Sequence, residues 1–187
     1  MLLIVARYNE NVEWTKQFSK VVIYNKGKPL EKGYYHEILL KNVGKEEHSY
    51  YKYIYDNYDR LDDYTIFLSG NPFDFSPNII NKLHEYINNK ELNIDFRFLN
   101  DHVYKCNISD CRIHHDLPFI DVYEKIFNEE KESIDFEFGL KSIFIVSRKQ
   151  IQKKPKNFYL KIVDLLENKH SRNEANVIER FHKLIFC

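Results

Sequence analysis

The sequence predicts one α/β domain, an α/β/α sandwich around a mostly parallel central sheet. Three observations lead there. Short unbroken apolar runs, the pattern of strands buried on both faces, lie at 2–6, 21–24, 64–68 and 143–146. Segments of helical period separate or follow them, as in βαβ folds. The 187 residues suit a single domain spanning 1–187, with no low-complexity linker or internal repeat to divide it.

Taken in order, Leu2–Ala6 is a buried strand that ends in the polar run Arg7-Tyr8-Asn9-Glu10. Val12, Trp14 and Phe18 suggest a short helix. Lys20–Tyr24 is the second strand, stopped by the turn signal Asn25-Lys26-Gly27. Residues 28–45 read as loop with one extended piece, Ile38–Leu40. From Glu46 to Leu61 the apolar positions recur at helical spacing. Tyr64–Leu68 is the third strand, broken by Ser69-Gly70-Asn71-Pro72, and Pro77–Asn88 is a helix with proline near its first turn. Phe96 and Phe98 alternate with charged neighbours, which fits an edge strand. Leu117–Phe127 reads as helix, Ile143–Val146 as a buried strand, and Pro155–Leu166 and Ala175–Phe186 as amphipathic helices.

Composition excludes several classes. Hydrophobic residues make up 43% and charged residues 30%, a globular balance. Lys plus Arg and Asp plus Glu both number 28, so no general nucleic-acid binder is expected. No apolar run approaches the roughly 18 residues of a membrane span. The opening MLLIVARYNE has no basic segment ahead of its apolar run and is not read as a signal peptide. Three cysteines, an odd count, suggest no disulfide framework and a reducing compartment, hence a cytoplasmic protein (host cytoplasm for a viral one).

Chemistry is expected where the strands end, because ligands of open α/β sheets bind beyond the carboxyl ends. Arg7–Glu10, Asn25–Gly27 and Ser69–Asp74 supply polar groups there, either as a site or as ordinary loops. In Asn42-Val43-Gly44-Lys45-Glu46-Glu47-His48, Gly44 allows a positive φ or a close ligand approach, and the following helix N-terminus favours anions. The same residues read equally as a turn with first-turn acids. Neither GxxxxGK[ST] nor GxGxxG is present. Cys106, Cys111, His114, His115 and Asp116 gather metal-type ligands, but their spacing fits no common zinc module. On the last helix, Glu179 and His182 are one turn apart and share a face. Glu179 is read either as a general base or as half of a surface pair with Lys183.

These residues also carry a resemblance. Arg7-Tyr8-Asn9-Glu10 with Trp14, Tyr24-Asn25-Lys26-Gly27, Asn42-x-Gly44-x-Glu46-x-His48-x-Tyr50 and Asp56-x-Tyr58-Asp59-x-Leu61 resemble a family known as a domain of unknown function. Its members occur in fungi, bacteria and large DNA viruses. The likeness continues through Phe67-Leu68-x-Gly70-Asn71-Pro72-Phe73-Asp74, Val146-Ser147-Arg148, Pro155-x-x-Phe158-Tyr159 and Glu179-Arg180-Phe181-x-x-x-Ile185-Phe186. It covers most of the chain except roughly residues 88 to 140. That family looks like compact GT-A glycosyltransferases, which move a sugar from a nucleotide-diphospho-sugar to a glycan or other hydroxyl acceptor.

The resemblance implies a nucleotide-sugar site at Arg7, Asn9, Asn25, Asn42, Gly44, Glu46, His48, Gly70 and Asn71, with Arg180 on an acid or the diphosphate. It implies Glu179 as general base, with Glu174 as rival. The usual Asp-x-Asp metal motif is absent, leaving Asp74 as the candidate ligand for Mn²⁺ or Mg²⁺. Two other readings stand beside it. One is a non-catalytic nucleotide- or carbohydrate-binding module, and the other is an interaction domain whose many tyrosines form a partner surface.

Overall fold

The computed structural model describes residues 1–111, 113, 116–168 and 172–187. Along the chain run β1 (Leu2–Arg7), β2 (Val21–Asn25), β3 (Glu37–Leu39), α1 (Lys45–Asn57), β4 (Tyr64–Ser69) and α2 (Ile79–Asn88). Next come β5 (Phe96–Phe98), β6 (Tyr104–Asn107), α3 (Phe119–Phe127), β7 (Asp135–Phe138) and β8 (Phe144–Ser147). The short α4 (Arg148–Ile151), α5 (Lys156–Glu167) and α6 (Arg172–Phe186) complete it. Short 3-10 turns lie at Glu13–Gln17 and Tyr58–Arg60.

Six strands form one sheet in the order β3-β2-β1-β4-β8-β5, and β6 with β7 form a second, two-stranded sheet. β1, β2, β3 and β4 pair in parallel, whereas β8 is antiparallel to both β4 and β5. The sheet is therefore mixed, not mostly parallel as the sequence suggests. The reason is that an unbroken apolar run reports burial on both faces and says nothing of direction. β8 is entered from the turn after β7, without the crossover helix that a parallel partner of β4 would need.

Alternation along the strands divides the core into two layers. Ile4, Tyr24, Phe67, Phe144 and Val146 face a layer packed by α1, α5 and α6. Leu3, Val5, Ile23, Ile66, Leu68 and Ile145 face the other, with Ile79 and Leu83 of α2. One domain with helices on both faces results. The first layer is aromatic: Tyr51 stacks on Tyr159 at 6.3 Å between centroids and on Phe186 at 6.2 Å. Tyr24, Tyr50, Tyr51, Tyr53, Tyr123 and Tyr159 are buried, so these tyrosines build the core and cannot form a partner surface.

The other expectations fare unevenly. β5 is an edge strand, as the charge alternation around Phe96 and Phe98 predicts. β6 and β7 are not foreseen, because four-residue strands with mixed polarity leave a weak period. Cys106 and Cys111 are joined in a disulfide with Cα atoms 4.9 Å apart, and Cys187 is free. An odd cysteine count did not preclude one local bridge, and this bridge is at odds with the reducing compartment inferred from it. It also spends both sulfurs of the possible zinc set, while His114 and His115 lie outside the described residues. No helix among the described residues is long and apolar enough to cross a membrane.

Candidate functional site

β1 has β2 on one side and β4 on the other, so the chain order reverses between β1 and β4. A crevice beyond the carboxyl ends at such a switch point is where open α/β sheets place ligands. The antiparallel β8 adds a fourth wall. Phe144, its first residue, pairs with Phe67 near the carboxyl end of β4, so the preceding turn Gly139–Ile143 arrives at the same edge.

The corner at β1 and β2 is locked by side chains. Arg7 donates from Nε to the Glu10 carbonyl at 2.8 Å and from its guanidinium to Asn25 Oδ1 at 2.9 Å and the Lys28 carbonyl at 2.8 Å. Asn25, fully buried, donates to Glu37 Oε1 at 2.5 Å and to the Lys28 carbonyl, while Asn9 Oδ1 accepts from the Lys28 amide at 2.9 Å. A Cβ on Gly27 would stand 1.1 Å from the Tyr8 carbonyl oxygen, so the two loops touch backbone to backbone. Arg7, Asn9 and Asn25 are thus brought together, and they shape the rim by bonding to it.

At the end of β4, Glu10 Oε2 accepts from the Tyr8 and Asn9 amides at 2.6 and 3.1 Å and rests against Gly70, where a Cβ would be 2.8 Å away. Trp14 donates to the Gly70 carbonyl at 3.1 Å. Asn71 and Asp74, both exposed, bond each other at 3.1 Å. Asp74 offers a single carboxylate. Among the described residues no group of three or more His, Cys, Asp or Glu is placed to hold a metal ion. Such cations are commonly held by one or two carboxylates together with substrate phosphates, and Asp74 is the residue here that would hold the implied Mn²⁺ or Mg²⁺.

Gly44 starts α1 at φ 57° with its Cα side packed on His48 and Leu166, where a Cβ would meet atoms at 2.8 Å. Lys26 reaches in from the end of β2 and donates to the Val43 carbonyl at 2.5 Å and to that of Lys45. Burial pushes its ammonium down to about 8, against the pull of Glu47 and Glu46. Asn42 is exposed on the loop before α1. His48 turns away from the edge: it is buried, with Nε2 3.2 Å from Glu167 Oε1.

Below the edge lies a hydrogen-bonded chain. Tyr51 Oη is 2.8 Å from His182 Nδ1, His182 Nε2 is 2.9 Å from Ser142 Oγ, and Ser142 donates to Glu47 Oε1 at 2.6 Å. His182 is fully buried, and burial pushes its pKa down to about 3, so the imidazole is neutral with one N–H. Because Ser142 donates to Glu47, it accepts from Nε2–H, and Nδ1 accepts the Tyr51 proton. The chain points one way and ends on Glu47. Burial, then the charges of Glu46 and Glu179, holds the Glu47 carboxyl well above the ordinary range. Glu47 Oε2 and the Tyr50 hydroxyl are buried without a hydrogen-bond partner. Burial, followed by the charges of Glu46, Glu47, Glu179 and Glu10, raises that hydroxyl well above its usual pKa.

Glu179 closes the edge from α6. Its Oε1 accepts from the Lys141 amide at 2.6 Å and its Oε2 from Arg180 at 3.2 Å. Lys141 and Ser142 stand at φ 61° and 50°, the left-handed region that costs non-glycine residues roughly 1–3 kcal/mol each. The Lys141 ammonium lies 3.7 Å from Glu46. Lys183 pairs with Glu137 at 2.6 Å instead of with Glu179. Sequence reasoning places Glu10 and Lys26 in the strand-end runs and Glu47 in a first helical turn without giving them these partners, and it misses Lys141 and Ser142. The available signal is the shared face of Glu179 and His182, which turn out to hold consecutive residues.

No curated protein and no solved structure matches the chain. A family model does, over residues 2–187, and the chain belongs to that family, described as a protein of unknown function (DUF3431).

Proposed function

We propose that the carboxyl edge binds a nucleotide-diphospho-sugar and that the protein transfers the sugar to a hydroxyl of a glycan or other acceptor. The observation that carries this reading is the switch point between β1 and β4, with Lys26 after β2 bonded to the start of α1, and Glu46 of α1 and Glu179 of α6 both held to Lys141 in the turn before β8. In the transfer, the acceptor oxygen bonds to the anomeric carbon as the bond from that carbon to the diphosphate oxygen breaks. The electron pair leaves with the diphosphate and the acceptor proton passes to a carboxylate. Lys141, whose side chain is half exposed, supplies charge for the leaving group. Glu179 is the assigned proton acceptor: each oxygen holds one donor and keeps a further lone-pair site. Arg180 borders it, with its guanidinium 5.4 Å from the Phe138 ring centre.

Calorimetry with UDP-, GDP- and TDP-sugars, with and without Mn²⁺, tests the reading. Binding of at least one donor at the edge is expected, and no binding to any of them overturns it. A second reading, a non-catalytic binding module, is favoured by one observation. Arg7, Asn9 and Asn25 spend their polar groups on one another and on the loops. Donor binding without hydrolysis or transfer would select that reading.

A further inference from the structure

A cavity of about 950 Å³ lies between the small sheet, the end of α3 and the last turn of α6. Its floor is apolar, from Tyr123, Phe127, Ile134, Phe136 and Leu184. Its rim is polar and paired. β6 and β7 set Lys105 opposite Glu137 and Asn107 opposite Asp135. Asn107 donates to Asp135 at 2.8 Å, and Glu137 holds Lys183 at 2.6 Å and Lys105 at 3.5 Å.

Both signs are mixed around the rim, Lys105, Lys154 and Lys183 with Asp110, Glu129, Asp135 and Glu137, which selects against a strongly charged ligand. A hydroxyl both donates and accepts, so it can bridge a Lys–Glu or Asn–Asp pair and satisfy both members. An apolar floor with a few convergent polar groups takes the C–H faces of such a ligand. The position matters as well. Lys183 follows Glu179 on α6 by four residues, a rise of about 6 Å, so the cavity begins one turn beyond the carboxylate at the edge.

We infer that this cavity binds a hydroxyl-rich chain, the glycan acceptor, and directs its end toward Glu179. The inference rests on the transferase reading for the word acceptor, and on the cavity alone for glycan binding.

The test applies the labelled full-length chain to an array of neutral oligosaccharides with hexose and N-acetylhexosamine units. Asn107→Ala and Lys183→Met run beside it, with circular dichroism to establish their fold and donor calorimetry in parallel. The expected result is binding to a subset of glycans that weakens about tenfold in each variant, the loss of about one rim hydrogen bond to a charged partner, with donor affinity unchanged. A wild-type chain that binds no glycan overturns the inference, and so do folded variants that bind as tightly as wild type. Donor binding together with either result leaves the transferase reading standing. Glycan binding without donor binding removes that reading and keeps the cavity. If one variant fails to fold, the other decides.

Discussion

Glu179 and His182, one helical turn apart on α6, hold two consecutive residues of a single turn: Lys141 by its amide at 2.6 Å and Ser142 by its hydroxyl at 2.9 Å. Both held residues are in the left-handed region. The helix face therefore fixes a backbone conformation that the local sequence does not favour, at the edge where the strands end.

Ser142→Ala removes the hydroxyl that serves both Glu47 and His182. It leaves Glu47 Oε1 and His182 Nε2 buried without partners, at a cost of roughly 2–4 kcal/mol. Urea denaturation measures it, and a loss below about 0.5 kcal/mol would show that the chain carries no stability.

Stability is expected to fall with acid through His182. Its folded pKa is lowered to about 3 from 6.5, so the unfolded state binds the proton first and stability is lost as pH falls below about 6.5. Glu47 acts oppositely, since its raised folded pKa makes its contribution fade as pH rises above 4.5. Unfolding midpoints from pH 3.5 to 8 check both. His182→Asn should flatten the acid limb, by up to about 1.4 kcal/mol per pH unit, and Glu47→Gln should flatten the opposite trend.

Glycine substitutions should rank by what the added carbon meets. Gly27→Ala forces a Cβ onto the Tyr8 carbonyl and must separate two loops, whereas Gly70→Ala meets only the Glu10 side chain, Oε2 at 2.8 Å and Cβ at 3.0 Å, where a swing of the carboxylate and a shift of a few tenths of an ångström suffice. The first is expected to destabilise by several kcal/mol and the second by about 1, read from thermal midpoints. Equal losses would contradict the contact between the loops.

Glu179→Gln keeps size and, with its oxygen on the Lys141 amide, one of the two accepted hydrogen bonds, and removes the base. Donor affinity should stay nearly constant while turnover drops by roughly two to four orders of magnitude. Turnover within a few-fold of wild type takes Glu179 out of the mechanism, and Glu174 becomes the residue to vary.

Much of the frame is legible in the sequence because burial writes a simple pattern. Leu2–Ala6, Tyr64–Leu68 and Ile143–Val146 are apolar throughout and lie in the sheet, and the long amphipathic segments are helices. The direction of β8 is not legible, since apolar runs have no polarity. That one ambiguity hides the site's fourth wall, because only an antiparallel β8 brings Lys141 and Ser142 to the edge. Glu47 is hidden for another reason. Beside Glu46 in a first helical turn it reads as a dipole acid, and its burial depends on contacts with residues about a hundred positions away.

The chain from Tyr51 to Glu47 joins partners 131, 40 and 95 positions apart. Contacts of that span close large loops and come late when a chain folds. The strands β1, β2 and β4 can associate while the carboxyl edge is still open, and the edge is finished only when α6 docks. During synthesis, the bonds from His182 to Ser142 and from Glu179 to Lys141 cannot form until α6 has left the ribosome. In the folded protein the same segment is a natural unit of partial opening, and amide exchange should show Lys141 and the last turns of α6 losing protection together.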